Sequence, residues 1–282
     1  MAFDLNNFVI DRIVRGVALS QKDDSVLFSI NQIQNASLNC ASESTDAVDA
    51  MGTPIATFYR AKSAEFSAEN ALFDMNLMAT QLGTTKTVGG KKMVDGKEVS
   101  VKITVPAMES FTVAEDGKYT LKHAPKAAPS EIYAINGDST FGTKYTKATA
   151  ISETEFTFAE QVITVQVEEK DAEGNVVVPG IPVGTEMFVM YEYESEEAVE
   201  VVNSAKNFPV GCKFVMEVLG CDVCDQTNLI YAYVIFNNAK LSPDFDWSIA
   251  TDGSHPFSMR AQQDYCDKEK RLFSIIIPGD QE

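Results

Sequence analysis

Residues 36–83 constrain the fold of this chain more than any other stretch. Apolar and polar side chains alternate over residues 36–42, as in a strand with one covered face. The segment Ser44–Pro54 is rich in turn-forming and acidic residues, which predicts a long hairpin loop. Alternation then resumes over residues 55–60 and predicts the return strand.

One short helix is predicted to follow this hairpin. Ser67 has the side chain of an N-cap, and Gly83 is suited to end the helix. The apolar residues of one helical face are Ala68, Ala71, Leu72, Met75, Met78, Ala79 and Leu82. We therefore expect a short amphipathic helix.

The two ends of the chain add further strands. Val26–Ile30 is predicted to be a strand, while the apolar segment before it is equally compatible with a helix and with an edge strand or arm. The predicted C-terminal strands are Phe214–Leu219, Leu229–Phe236, residues 257–262 and Arg271–Ile277. These strands can complete a sheet begun by residues 26–66.

The residue pattern changes over residues 86–205. Short strand-like segments recur there at regular intervals, separated by turn signals such as Asp95-Gly96, Asp116-Gly117 and Pro179-Gly180. This spacing predicts a separate β-sandwich module inserted into the first domain. The chain is thus expected to be mainly β, with a sandwich or barrel formed by residues 1–85 and 206–282, one short helix, and the inserted module.

Composition excludes several classes of protein. The hydrophobic share of 45% and the charged share of 23% are typical of a folded soluble chain. The net charge of −18 argues against a surface that grips nucleic acid, since such surfaces use Lys and Arg. No apolar run approaches the roughly 18 residues that cross a bilayer, and the N-terminus lacks a secretory signal. We therefore expect no membrane partner.

No residue pattern indicates catalysis or a metal site. Cys221 and Cys224 form the only Cys-x-x-Cys pair, but no second pair or histidine follows at zinc-site spacing, so a turn between two strands is expected. The two histidines, His123 and His255, lie near prolines and have no neighbouring nucleophile pattern. Phosphate-binding glycine loops are also missing from the sequence. We expect a non-enzyme without cofactor.

The flanks of the chain resemble the phage tail tube proteins, the subunits of the hollow tube in long-tailed bacteriophages. The resemblance rests on the strand and acidic loop within Asn35–Pro54, on the short helix after Phe66, and on the closing segment Phe257–Cys266. It covers about residues 26–83 and 206–282. The inserted module departs from the minimal pattern of the family.

This resemblance implies a structural virion protein that assembles in the host cytoplasm. Such subunits polymerise as stacked, typically hexameric rings into a conduit for DNA ejection. The implied partners are further copies of the chain, other tail proteins, and double-stranded DNA that passes without specific binding. The residues expected at the subunit interface or lumen are Glu43, Asp46, Asp49 and Met51.

Two alternatives remain open from the sequence. The first is another phage structural protein, such as a capsid decoration protein or a baseplate component. The second is a carbohydrate-binding β module. In that case the candidate aromatic residues are Tyr119, Tyr133, Phe141 and Tyr145.

Overall fold

A computed structural model describes residues 7–94, 96–264 and 268–279 of the chain. It divides into two compact units, of which unit 1 comprises Met1–Lys86 and Val201–Glu282 and unit 2 comprises Thr87–Glu200. The prediction of a mainly β fold is confirmed, and one short helix is present in the described part of the chain.

The elements in chain order are β1 Phe8–Ser20, β2 Val26–Ile30, β3 Ile33–Val48, β4 Pro54–Asn70, α1 Met75–Gln81, β5 Thr87–Val88, β6 Gly90–Val94, β7 Lys97–Val101, β8 Ile103–Thr112, β9 Lys118–Thr120, β10 Glu131–Ile135, β11 Phe141–Lys147, β12 Glu155–Ala159, β13 Val162–Val165, β14 Glu169–Lys170, β15 Val176–Val178, β16 Glu186–Ser195, β17 Val199–Glu200, β18 Gly211–Asp222, β19 Asp225–Leu241, β20 His255–Ala261 and β21 Ser274–Ile276. The N-terminal segment that the sequence left undecided is thus a strand.

Unit 1 is built on one eight-stranded sheet. Seven strands follow the order β2-β1-β18-β19-β20-β4-β3, and β21 pairs with β19. The two end strands of this order, β2 and β3, are joined by only two residues, Asn31 and Gln32. The sheet therefore curls until its ends approach each other. The predicted C-terminal strands lie within this sheet, although the last one is limited to β21.

A cluster of phenylalanines fills the curl. The ring centroid of Phe66 on β4 lies 5.9–6.0 Å from those of Phe214, Phe236 and Phe257. These four rings are at most 3% exposed. Aromatic side chains of this size bury about 150–250 Å² each, so the cluster dominates the stability of the unit.

The predicted helix start at Ser67 is wrong. Residues 67–70 continue strand β4, where Ser67 pairs with Ser258 of β20. The helix begins at Met75, and its N-cap is Asp74, whose carboxylate accepts a hydrogen bond from the Leu77 N–H at 2.7 Å. Sheet pairing therefore prevails over the local helical spacing of residues 68–72. The predicted end at Gly83 fits the structure, since Gly83 has a φ of 67° after the helix.

The loop predicted over Ser44–Pro54 is shorter in the structure than the sequence indicated. Residues 44–48 belong to β3 and pair with β4, so the connection is limited to residues 49–53. Because this segment contains polar and small residues, its sequence did not indicate a strand. By contrast, the predicted turn at Cys221–Cys224 is confirmed, because β18 ends at Asp222 and β19 begins at Asp225.

Unit 2 contains a seven-stranded sheet in the order β8-β16-β10-β11-β12-β13-β9, with a separate apolar core. A buried carboxylate, that of Glu109, lies in it and accepts hydrogen bonds from the hydroxyls of Tyr191 and Tyr119 and from the Lys122 N–H. Burial alone would raise the pKa of Glu109, but these donors outweigh it and lower that pKa. The satisfied carboxylate fixes the segment around β9 onto the sheet.

None of the helices in the described ranges has the length and apolar character to span a membrane.

His255 attaches helix α1 to the sheet of unit 1. Nδ1 of its buried ring accepts a hydrogen bond from the Asp74 N–H (3.4 Å), and Nε2 lies 2.8 Å from Oε1 of Gln81. Since Gln81 Oε1 can only accept, this pairing requires a neutral ring with its hydrogen on Nε2. Burial lowers the pKa of His255, and the nearby Asp74 carboxylate opposes this effect.

We predict that this attachment weakens in mild acid. The unfolded ring takes up a proton near its ordinary pKa of 6.5, whereas the folded ring does so only at lower pH. The contribution of His255 to the free energy of unfolding should therefore be constant above about pH 7 and fall as the pH drops below 6.5. Thermal unfolding followed by the emission of Trp247 measures this effect, because Phe73 stacks on both Trp247 and His255.

The matched control is His255→Asn. It should be less stable at neutral pH but lose less stability between about pH 7.5 and about pH 5.5 than the wild type. An identical pH profile for both proteins would contradict the assignment of this effect to His255.

Candidate assembly surface

The β3–β4 hairpin extends well beyond the core of unit 1. Ala64 is the last buried residue of β4 towards the turn, and residues 54–63 are exposed. On β3, residues 39–48 are exposed as well. We call residues 41–63 the arm. Since neither face of the arm packs on the unit, its side chains contribute almost no core.

The arm also has free backbone edges. Strand β4 pairs with β20 only through Glu65–Asn70, and β3 is the last strand of the sheet order. Within the described ranges, the outward edges of both arm strands have no partner strand. Such edges present unpaired N–H and C=O groups to another chain, and exposed, long, apolar edges promote association.

Apolar side chains are concentrated towards the end of the arm. Met51 is 88% exposed, Ile55 and Tyr59 are each 71% exposed, and Val48 and Phe58 are 54% exposed. Fully burying one such side chain stabilises a complex by about 1.5–3 kcal/mol. Several of them on a single projection make the arm a candidate protein-contact surface.

The turn at the end of the arm is held by Asp49. Its carboxylate accepts hydrogen bonds from the N–H groups of Met51 (2.8 Å) and Thr53 (2.9 Å), and Gly52 has a φ of 84°. The Asp49 side chain therefore fixes the turn. Its role is to present the exposed Met51 in a defined position.

A β-bulge lies within the arm, at its base. Ala41 pairs with Ser63 and Glu43 pairs with Arg60, so Ala61 and Lys62 together face one residue of β3. Ala61 has a φ of 50° there. A bulge of this kind bends the strand and increases its right-handed twist.

The four residues predicted at an interface or lumen do not form one cluster. Glu43 and Asp46 are three positions apart on one strand and therefore point to opposite faces of the arm. The Asp46 carboxylate accepts a hydrogen bond from the Thr57 hydroxyl at 2.7 Å. The structure places all four on the arm, and Met51 at its end. Their part in an interface remains a prediction.

The sequence prediction overlooked the most exposed apolar residues of the return strand. In the sequence, residues 55–60 show only the alternation of a strand, which does not indicate whether Ile55, Phe58 and Tyr59 face a core or solvent. The structure shows all three side chains exposed. The Phe58–Tyr59 pair was the available signal, since two successive aromatic residues must face opposite sides of a strand.

A second exposed apolar group lies on unit 2. The rings of Tyr133 and Phe141 have centroids 5.6 Å apart, and those of Phe141 and Phe188 are 5.0 Å apart. Phe141 is 61% exposed. Of the other predicted aromatic candidates, Tyr145 is buried, and Tyr119 stacks on Phe111 at 4.1 Å, so neither of them joins this group.

Polar groups border this aromatic cluster. Glu131 accepts hydrogen bonds from the Tyr133 hydroxyl (2.6 Å) and from Nζ of Lys144 (3.0 Å). Both hydrogen bonds lower the pKa of Glu131, and the bond from Tyr133 has the larger effect. The carboxylate therefore stays ionised. An exposed apolar platform thus adjoins a fixed ion pair.

The residues weighed for metal or thiol chemistry are spread apart. Across residues 7–94, 96–264 and 268–279, no three His, Cys, Asp or Glu side chains come close enough to hold a metal ion. Cys224 is exposed beside the β18–β19 turn, and Cys212 is buried in the core of unit 1. Burial raises the pKa of the Cys212 thiol to about 11, which keeps it protonated and unreactive.

We predict that Asp49 determines the order of the arm turn but not the stability of unit 1. Asp49→Ala removes the carboxylate oxygen that accepts both hydrogen bonds and should speed amide hydrogen exchange at Met51 and Thr53. The melting temperature should change little, because the turn buries no core. Asp49→Asn retains one acceptor oxygen and should exchange nearly as slowly as the wild type. A large loss of melting temperature in Asp49→Ala would contradict this view of the arm.

The comparisons with known proteins agree with a tube-like structural role. No curated protein matches the chain. The model of the YomU/Tube protein family matches residues 8–271, which include most of unit 1, with its arm, and all of unit 2. This family is phage-derived and tube-like, which supports a phage structural protein. A match over this much of the chain shows that the protein belongs to the YomU/Tube protein family.

Proposed function

We propose that this protein is a tail tube subunit that polymerises through its arm into a hollow conduit. The observation that carries the proposal is the arm itself, with two exposed faces, unpaired edges and an apolar end. A structure of this kind is suited to a neighbouring subunit, because an isolated hairpin without a packed face is at best marginally stable in water.

The unpaired strand edges also favour closure of several copies into a ring. A curled sheet with free edge strands can pair edge to edge with copies of itself, and closing the ring removes the edges. We propose stacked rings, hexameric as in the tail tubes that the chain resembles, and contacts with other tail proteins at the ends. In this role the protein is a virion component without catalytic activity.

Charge fits the passage of DNA through such a tube. The chain carries a net charge of −18, and double-stranded DNA has about one negative charge per 1.7 Å of its axis. Like charges on both surfaces keep the DNA from adhering to the wall. We therefore propose that DNA passes without specific binding.

We predict that the arm is required for polymerisation and not for folding. The test protein replaces residues 44–59 by Asn-Gly, which joins the paired residues Glu43 and Arg60 through a two-residue turn. It should remain a folded monomer with a melting temperature within a few degrees of the wild type, because the deleted residues are exposed apart from the half-buried Asp49. Negative-stain microscopy should show tubes of the wild type only.

The matched control is Phe141→Ser, which removes an equally exposed apolar side chain from unit 2 and should leave tube formation intact. Normal tubes from the shortened protein would contradict the proposal. Flat or capsid-bound assemblies of the wild type would instead favour the baseplate or decoration alternative.

The aromatic cluster of unit 2 supports a second candidate function, the binding of carbohydrate. Exposed aromatic rings pack against the apolar faces of sugar rings, while neighbouring charged groups hydrogen-bond the hydroxyls. Tyr133, Phe141 and Phe188, bordered by Glu131 and Lys144, combine both features. This function is compatible with a structural role for unit 1.

We predict that any glycan binding depends on Phe141. The full-length protein should be screened on a glycan array, and Phe141→Ala should weaken the binding of a hit by up to about tenfold. Val177→Ala, at a comparably exposed position of unit 2, should leave affinity unchanged. Equal binding by both variants, or no hit with the wild type, would reject this function.

A further inference from the structure

The turn between β10 and β11 contains the only Asn-Gly step of the chain, Asn136-Gly137. Strand β10 ends at Ile135 and β11 begins at Phe141, so residues 136–140 form the connection, and all of them are exposed. An asparagine that precedes glycine can react with its own main chain, because glycine has no side chain to obstruct the approach of its nitrogen to the carboxamide. The turn therefore brings a carboxamide and a nitrogen nucleophile together.

The main-chain nitrogen of Gly137 is unprotected in the folded protein. Among the residues that the structure describes, none accepts a hydrogen bond from the Gly137 N–H. A Cβ built on Gly137 would have no atom within 4 Å apart from those of its chain neighbours, so solvent reaches this nitrogen and can take its proton. An N–H inside a sheet ladder would first have to break a hydrogen bond. The fold thus leaves the reacting nitrogen accessible.

The Asn136 carboxamide is held within the same turn. Its Nδ2 donates to the hydroxyl oxygen of Thr140 at 3.0 Å, and its main-chain N–H donates to the Thr140 carbonyl at 2.8 Å. The Oδ1 atom lies so close to Gly142 that a Cβ at that residue would come within 2.5 Å of it. The carboxamide therefore remains beside the main chain of the turn that contains Gly137.

We propose that Asn136 is a self-modifying site whose only co-reactant is water. The Gly137 nitrogen loses its proton to solvent base and attacks Cγ of Asn136, and Nδ2 leaves as ammonia, so that a succinimide ring forms. Water then adds to one of the ring carbonyls and opens the ring, which leaves aspartate or isoaspartate at position 136. In sum, asparagine and water give an acidic residue and ammonia, with no oxidation or reduction.

This modification should loosen the turn that carries Phe141. The Thr140 hydroxyl donates to the Asp138 carboxylate at 2.6 Å and accepts the hydrogen bond from Nδ2 of Asn136. A carboxylate at position 136 can only accept, so the second of these bonds is lost and two carboxylates adjoin one hydroxyl. Isoaspartate also adds a methylene to the main chain, which disrupts the 2.9 Å bond from the Ser139 N–H to the carbonyl of residue 136.

The aromatic cluster of unit 2 depends on this turn. Phe141 is the first residue of β11, and its ring contacts those of Tyr133 and Phe188. A looser turn and an added negative charge next to the cluster change the surface that unit 2 exposes as the protein ages. This inference goes beyond the proposed function, and it holds whether or not the chain polymerises.

Peptide mapping of the aged full-length protein tests the proposal. The wild type is kept in mildly alkaline buffers and digested at intervals. The peptide that contains residue 136 should become heavier by the difference between OH and NH2, and an isoaspartate-specific methyltransferase should label it. The rate should rise in proportion to the hydroxide concentration, because the Gly137 nitrogen reacts only after it has lost its proton.

Asn175 provides the internal control, since it also lies in an exposed turn of unit 2. It is followed by Val176, whose branched side chain hinders the approach of the main-chain nitrogen. Its Nδ2 donates to the Asp171 carboxylate at 3.0 Å. Asn175 should therefore remain unmodified in the same digests.

Three variants separate the steps. Gly137→Ala should slow the modification severalfold and fold like the wild type, since Gly137 has no positive φ and an added Cβ meets no atom. Asn136→Gln is a second blocking variant, because its longer side chain would have to close a larger ring. Asn136→Asp introduces the charge of the product from the start and should speed amide hydrogen exchange at Ser139 and Thr140.

Two results would overturn the modification site. One is a residue 136 that stays intact in the folded protein while a synthetic peptide of residues 131–142 is modified in the same buffer. The other is an equal rate in the wild type and in Gly137→Ala. Unchanged hydrogen exchange at Ser139 in the modified fraction would overturn the loosening of the turn. Freshly purified protein forms or fails to form tubes independently of these results, so the proposed function is tested separately.

Discussion

The packing of Phe66 against three other phenylalanines determines how unit 1 is organised. Phe66 lies on β4, and its partners belong to β18, β19 and β20, so one cluster links four strands of the curled sheet. Because interiors are packed as densely as organic crystals, the curvature must match these ring volumes closely. The cluster also sets where the core ends, since Ala64 is the last buried residue towards the arm.

Beyond that point the same two strands continue without a core. Main-chain pairing extends to the turn, but side chains such as Tyr59 and Met51 face solvent. Hydrogen bonds alone contribute only about 0.5–1.5 kcal/mol each in net terms. The arm is thus a segment whose local stability lies below that of the unit that carries it. A contact on either face would raise that stability.

Periodicity was sufficient to predict the mainly β fold, the separate texture of the inserted region, and the turn between Cys221 and Cys224. It failed where local preference and sheet pairing compete. The apolar side chains of residues 68–72 have the spacing of a helix. Residues 65–70 nevertheless pair with strand β20 and therefore form a strand. The arm was recognised as a hairpin, but exposure of Ile55 and Tyr59 depends on the absence of a covering layer. A sequence does not encode that absence locally.

The short pairing of β5 with β17 has a consequence for how this chain can diversify. Thr87 lies opposite Glu200, so unit 2 begins and ends at neighbouring positions of one ladder, about 5 Å apart. A domain whose termini adjoin can be gained, lost or exchanged without stretching the host chain. Residues 87–200 therefore occupy a natural grafting position, at which evolution or a protein engineer can exchange one domain for another without altering unit 1.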